Sequence, residues 1–410
     1  MLAFPSPRIS IALLGLYLAQ AVPLYLVAAA LPPILRSEGI GLNTIGSLGV
    51  LLAPWVLKAL WAPWVDRLAR GRLGRKGVVA ICFVVTISGI LALSTLNPVA
   101  DAGVFFPILM MMAMSSATQD IASDGWAVEH LPPDQQPGGN ALQGAAVAFG
   151  VLIGGAGTLF LYDLIGWTTT LWVIAGITFA LMAPFFAHPE AEGRCPLPPD
   201  AGKPALWRFL QFKGALAMIG FALIFRLPEG LVKALEQPFL VDQGFTLSQI
   251  GAISGGSAAL VGLGGAFAGA LMIRRWGLIG FFIFLICGRT LVFATFYAAA
   301  TVGMDPWIIV VLSVCDTFLR YIEITGLYTA FMRFSSLKQA GTDFTLLTSA
   351  TLLMYMIGSM VAGQLAHALG YGPVFLTATI LSGLTGWIAL LLLPPQVRHL
   401  PELSASRTLL

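Results

Sequence analysis

The chain has 410 residues, of which 58% are apolar and only 10% charged, with a formal net charge of +3. Soluble domains carry about 25% charged residues, so the polar shell that a water-soluble core of this length needs is missing. Four cysteines, Cys82, Cys195, Cys287 and Cys315, contain no CxxC pair, which points away from a disulfide framework or a zinc site. No cofactor, metal site or nucleic-acid partner is expected.

Runs of about 20 apolar residues mark membrane-spanning helices. Twelve are expected, giving an all-α polytopic membrane protein. The first starts after Arg8 and ends near Ala28-Ala29-Ala30, too long an apolar run for a signal peptide. In order, the spans are expected at 9–31, 43–65, 78–96, 104–130, 140–164 and 167–187. The remaining six fall at 213–237, 247–273, 278–302, 306–333, 342–369 and 372–393. The segment between the two groups is rich in Pro and Gly. The expected organisation is a six-helix bundle (1–187), a linker (188–212), a second six-helix bundle (213–393) and a tail (394–410).

The two groups of six resemble one another. At a shift of 205 residues Gly15 meets Gly220, Pro23 meets Pro228 and Pro33 meets Pro238; the phrase from Glu38 to Gly46 aligns with that from Gln243 to Gly251. At 203, Asp120 falls on Glu323, and Gln136, Gly138 and Asn140 fall on Gln339, Gly341 and Asp343. Duplicated six-helix halves are the layout of the major facilitator fold, with a site near mid-membrane. Basic residues gather on one face: Arg67, Arg70, Arg72, Arg75 and Lys76, then Arg274, Arg275, Arg333 and Lys338. The other face keeps Arg36. This bias places both termini in the cytoplasm. Glycine pairs spaced by four, Gly150/Gly154, Gly251/Gly255 and Gly265/Gly269, permit close helix contact. They fit ordinary packing, or a sliding contact between the fifth and eighth helices, which is the favoured expectation.

Between the second and third helices lies Asp66-Arg67-Leu68-Ala69-Arg70-Gly71-Arg72-Leu73-Gly74-Arg75-Lys76. An acid at a helix end can latch a neighbouring helix in one conformation and release it in another. Asp66, Arg67, Arg70 and Arg75 are therefore gating candidates, and a plain basic loop is the alternative.

The fourth helix carries Thr118-Gln119-Asp120-Ile121-Ala122-Ser123-Asp124-Gly125-Trp126-Ala127. Asp120 and Asp124 share one face at i, i+4. Two like charges this close in a dry site do not both ionise cheaply, so one could carry a proton. A structural Asp locked by a Lys or Arg is the competing reading. Gln119 and Trp126 flank the pair as substrate-contact candidates.

Five cations lie inside apolar spans: Lys58, Arg226, Lys233, Arg289 and Arg320. A charge at the centre of a membrane helix costs roughly 2.5–3.5 kcal/mol, so these must face a wet cavity or an acid. Arg226, Glu229 and Lys233 form one stripe on the seventh helix, and Asp316, Arg320 and Glu323 another on the tenth. Gln20, Arg226, Arg289 and Arg320 fall near mid-depth, with Lys58, Asp120 and Glu323 within about a turn. Gln20, Lys58, Arg226, Glu229 and Arg320 are expected substrate contacts, Glu323 a proton-coupling group with Asp120 and Asp124, Asp316 a gating group and Arg289 structural; the alternative is a set of internal salt bridges that break and reform between states, with the tenth helix as a gating network.

The phrase T-Q-D-I-A-x-D-G-W-A at 118–127 resembles the AmpG-like permeases and the acetyl-coenzyme A transporters. Leu57-Lys58-Ala59-Leu60-Trp61-Ala62-Pro63 and Tyr17-Leu18-Ala19-Gln20-Ala21-Val22-Pro23 carry the same likeness. The compact length is similar to that of the RhtX/FptX siderophore permeases. This resemblance implies a bacterial inner-membrane importer, with a pyochelin-like ferric siderophore as the leading expectation. An anhydromuropeptide or an acyl-coenzyme A-type solute is the alternative. Protons and the lipid bilayer are the other expected partners, and the chain is expected to act as a monomer. No HExxH, GxSxG or nucleotide-binding motif occurs, so an enzyme is not expected.

Overall fold

The computed structural model describes residues 4–37, 48–97, 100–189, 202–245, 249, 253 and 257–398. Within them the chain is helical. Helix α1 runs from Pro7 to Tyr25, passes through a π-helical turn at Leu26–Ala30 and resumes as Leu31–Ser37. Helix α2 is the most broken: a 3-10 segment (Leu48–Leu52), an α segment (Ala53–Leu57), a second 3-10 turn (Lys58–Leu60) and Ala62–Arg70. Prolines at 54 and 63, each near the start of a segment, fit a helix that restarts. Then come α3 (Gly74–Leu93) and α4 (Ala102–His130).

Helix α5 starts at Gln136 and continues through a π-helical turn, Val151–Gly157, to residue 165. Gly166, at φ +74°, turns the chain into α6, 167–187. The same device recurs at Gly277, φ +68°, between α8 (257–276) and α9 (278–302). Only glycine takes these left-handed values without strain. Helix α7 comprises Ala215–Phe225 and Leu227–Asp242, broken at Arg226 ahead of Pro228. Helices α10 (Pro306–Phe334), α11 (Ala340–Leu369) and α12 (Tyr371–Leu392) complete the chain.

Among the described residues, eight helical stretches are long and apolar enough to cross a membrane, and two of these contain the Gly166 and Gly277 turns. With the broken α2 and the charged α10, twelve spans result, as expected. Large apolar side chains such as Leu216 (74% exposed) and Leu391 (79%) point outward, which suits a lipid surface and not water. The expected second and eighth spans begin at 43 and 247; those starts, and nearly all of the repeated phrases at 38–46 and 243–251, lie outside the described residues.

The glycine expectation is corrected. Gly154 packs on the backbone of Val22 and Gly150 on Ala21, both in α1; Gly265 and Gly269 pack on Phe318 and Ile322 of α10. A Cβ at Gly154 would stand 2.2 Å from the Val22 carbonyl oxygen. These pairs therefore join helices within one half. Between α5 and α8 it is Gly144, against Ala266, that makes the close approach. Gly251 and Gly255 lie outside the described residues.

Candidate functional site

Three groups of buried polar side chains lie between the helices. The first, in the N-terminal half, is a node around Lys58. Its ammonium donates to Asp120 and stands 3.8 Å from Asp124. Gln20 Nε2 donates to Asp120 at 2.5 Å, and the Tyr17 hydroxyl donates to Asp124 at 3.1 Å. The spacing of α4 puts both carboxylates on the face toward α1 and α2. The 3-10 turn that begins at Lys58 carries the ammonium to them. One cation thus serves two carboxylates, and all three residues are largely withdrawn from solvent.

The second group is a ladder between the stripes of α7 and α10, which run antiparallel. Lys233 faces Asp316 at 3.5 Å, Arg320 faces Glu229 at 3.4 Å and Arg226 faces Glu323 at 3.5 Å. Pairs within α7 brace the rungs: Arg226 binds Glu229 through two bonds of 2.6 and 3.1 Å, and Lys233 binds Glu236. Arg289 of α9 closes the inner end on Glu323 at 3.1 Å and on Ser382 at 3.1 Å. Tyr355 of α11 lies beneath the guanidinium groups of both Arg226 and Arg320, at 5.2 and 5.7 Å. Arg320 keeps 33% of its side chain exposed, against 10% for Arg226 and 3% for Arg289. It is the central guanidinium of the three with room for a ligand.

The third group closes the basic face. Asp66 accepts from the Arg75 guanidinium at 2.8 Å, and Arg75 also donates to Glu129 at 3.0 and 2.8 Å. The other Asp66 oxygen accepts the Thr342 backbone N–H and hydroxyl, each at 2.6 Å. Thr342 lies in the first turn of α11, where unpaired N–H groups and the helix dipole favour an anion. This contact crosses between the halves, as does Asn140 Nδ2 to Thr329 at 3.2 Å. Arg67 and Arg70 instead donate to the carbonyls of Pro204 and Gly202, while Gln339 accepts from Ala205 N–H. Residues 202–205 are thereby laced to both halves.

Tyr17, Gln20, Lys58, Asp120 and Asp124 come together in one place; Arg226, Glu229, Arg320 and Glu323 do so in another. Asp66 and Arg75 meet, with Arg67 and Arg70 alongside on the linker. Asp316 stands apart from that closure: it belongs to the outer rung of the ladder. Trp126 is fully buried, stacked on His130 at 3.9 Å and edge-on to Phe185 at 5.4 Å, so it packs the N-terminal half and does not reach the node. Gln119 is 2% exposed, and its Nε2 has no partner among the described residues. Residues that the sequence reading passed over are Glu129, Glu236, Thr342 and Tyr355. Glu129 lies in the same phrase as Asp124, and Glu236 extends the α7 stripe by three residues, so both had a signal.

The family model described as Major Facilitator Superfamily matches residues 13–344. The anhydromuropeptide permease of Escherichia coli K12 is 25% identical over 407 residues, covering 95% of this chain and 80% of its own. A putative transporter, AmpG 4, of Rickettsia conorii is 24% identical over 383 residues, covering 89% and 92%. Among solved structures, the transporter FucP in its outward conformation superposes with a TM-score of 0.66 at 14% identity, covering 94% of this chain and 97% of that one. A multi-pass bundle of twelve spans with polar groups buried between its helices, matched by that model over most of its length, is a transporter and not an enzyme, and the chain belongs to the Major Facilitator Superfamily.

Proposed function

We propose that the chain is a proton-coupled importer of the bacterial inner membrane that moves a carboxylate-bearing solute of the anhydromuropeptide class by alternating access. The observation that carries the solute chemistry is Arg320, a guanidinium with a third of its side chain exposed. Its planar fork suits a carboxylate in two parallel bonds. Similarity to the E. coli permease over 95% of this chain supports the muropeptide class ahead of the ferric siderophore. The siderophore reading draws no specific support from these relatives and stands second; an acyl-coenzyme A-type solute stands behind it.

In this reading Lys58, Gln20, Arg226, Glu229 and Arg320 hold the solute between the halves 1–187 and 213–393, while residues 188–212 connect them. Asp120 and Asp124 share Lys58, which leaves one carboxylate as the seat of the coupling proton, and Glu323 is a second candidate. The Asp66–Arg75–Thr342 contact holds the basic face shut, and its release opens the path to the cytoplasm, where both termini lie. The protein works as a monomer. The test is uptake of radiolabelled anhydromuropeptide, with a panel of ferric siderophores in parallel, in cells with and without the gene and with and without a protonophore. Gene-dependent, protonophore-sensitive muropeptide uptake is expected. Gene-dependent uptake of a siderophore alone would reverse the order of the two readings.

A further inference from the structure

An apolar pocket of about 220 Å³ opens one helical turn outward of the Lys58 node. Its wall includes Leu24 and Val27 of α1, Leu51 and Trp55 of α2 and Met112 of α4; Ser116 and Thr86 are its polar lining. Backbone geometry accounts for the space. Here α1 enters its π-helical turn and α2 begins as a 3-10 helix, and such departures recur at functional sites. Close-packed α-helices would leave few voids larger than a water molecule.

Pocket and node are adjacent along three helices. Leu24 follows Gln20 by four residues, Ser116 precedes Asp120 by four and Trp55 precedes Lys58 by three, so each wall residue is the next turn on the face of a node residue. On the node side, one turn from the wall residue Leu24, stands Gln20, only 9% exposed, whose Nε2 binds Asp120 and whose Oε1 has no partner among the described residues. Buried carbonyl oxygens are nearly always satisfied, so this one calls for a donor.

We propose that the pocket is a subsite for an uncharged aryl or alkyl group of the solute, with a donor for Gln20 Oε1 and the polar end at the ion node. The proposal rests on the transporter reading and not on the anhydromuropeptide class; it requires an amphipathic acid, as an aryl-bearing solute such as that of the second reading would supply. Its size follows from the volume: an apolar cavity of about 150 Å³ accommodates benzene, so this one takes a group of roughly six to ten carbons. Adjacency to the ion node favours a solute over a bilayer lipid, whose chain brings no polar group to Gln20.

The test reads occupancy without requiring transport. Val27→Cys is made in a background where Cys82, Cys195, Cys287 and Cys315 are alanine, and its rate of N-ethylmaleimide labelling is measured in proteoliposomes. The probes are octanoate, 4-phenylbutyrate, octanol and succinate at matched concentrations. Octanoate and 4-phenylbutyrate are expected to slow labelling roughly tenfold, with octanol and succinate much weaker. Adding Ala113→Phe, which fills the cavity, is expected to remove that protection. Equal protection by octanol would assign the pocket to lipid chains, and no protection by any probe would leave it a packing gap; either overturns the proposal. Absence of gene-dependent uptake in cells would instead defeat the transport assignment while leaving the labelling result standing.

Discussion

The two halves bury charge in different ways. Lys58 of the N-terminal half faces two carboxylates, Asp120 and Asp124, and the remaining partners, Gln20 and Tyr17, are neutral. In the other half Arg226, Lys233, Arg289 and Arg320 face Glu229, Glu236, Asp316 and Glu323, sign against sign along α7, α9 and α10. A matched ladder holds helices in register, and each deletion leaves an uncompensated charge. An unmatched node leaves one negative charge that a proton or a solute donor can answer. The same kind of substitution should therefore cost stability first at the buried rungs of the ladder, and function first at the node and at the partly exposed Arg320.

The ladder gives the largest expected effect. Glu229→Gln strips the acid shared by Arg226 and Arg320. Removing one partner of a buried ion pair costs about 3–5 kcal/mol, so the folded yield and the melting temperature of the purified protein should both fall sharply. Replacing Arg226, Glu229 and Arg320 together with methionine should recover most of that loss, since matched apolar replacements of buried ion groups are often neutral. A normal melting temperature for Glu229→Gln would break the contrast between the halves.

In the node the counterpart is Asp124→Asn. It leaves Lys58 paired with Asp120, one charge against one, and so makes the N-terminal half resemble the other. The protein should fold with nearly normal stability, while concentrative uptake drops on the order of tenfold, equivalent to 1.4 kcal/mol, and the residue of uptake no longer responds to a protonophore. Retained protonophore sensitivity would move the proton to Asp120 or to Glu323.

Much of this contrast was legible beforehand, and the part that was not has a common cause. Stripes at i, i+4 and i+7 are properties of one helix, so Asp316, Arg320 and Glu323 could be read from α10 alone, as could Asp120 and Asp124 from α4. Which stripe meets which depends on the register between helices, and no local spacing encodes it. Thr342 illustrates the limit: its partner Asp66 lies 276 residues away. The glycine pairs failed for the same reason, because Gly-xxx-Gly announces a close approach without naming the helix approached. Trp126 failed differently. Its place in a distinctive phrase suggests a site residue, but position 126 is six residues from Asp120, on another face of α4, and the side chain turns into the core of its own half. The π-helical turn of α1 left no mark in the sequence that pattern reading uses.

Arg320→Gln gives a smaller effect and sharpens the contrast from inside the ladder. Because a third of this side chain is exposed and its tie to Glu229 is long at 3.4 Å, its loss should change stability little. A solute carboxylate, though, would lose its charged fork. KM should rise roughly tenfold with kcat less affected, measured by uptake over a range of solute concentrations. A fall in melting temperature as large as that of Glu229→Gln would show that Arg320 is one more structural rung.

The smallest effect concerns the contact that joins the halves. Thr342 holds Asp66 through its backbone N–H and its hydroxyl, and Thr342→Val removes only the second. The Asp66 oxygen keeps the N–H and the field of the α11 terminus, so the cost should lie at the low end for a hydrogen bond to a charged group, about 1.5 kcal/mol. That corresponds to roughly a tenfold shift from closed toward open on the basic face, with no charge altered in either half. Spin labels at Arg72 and Arg275, both exposed on that face, would report it as a longer-distance population in electron–electron distance measurements. An unchanged distribution would mean that Arg75, Glu129 and the α11 backbone hold the closure without the hydroxyl.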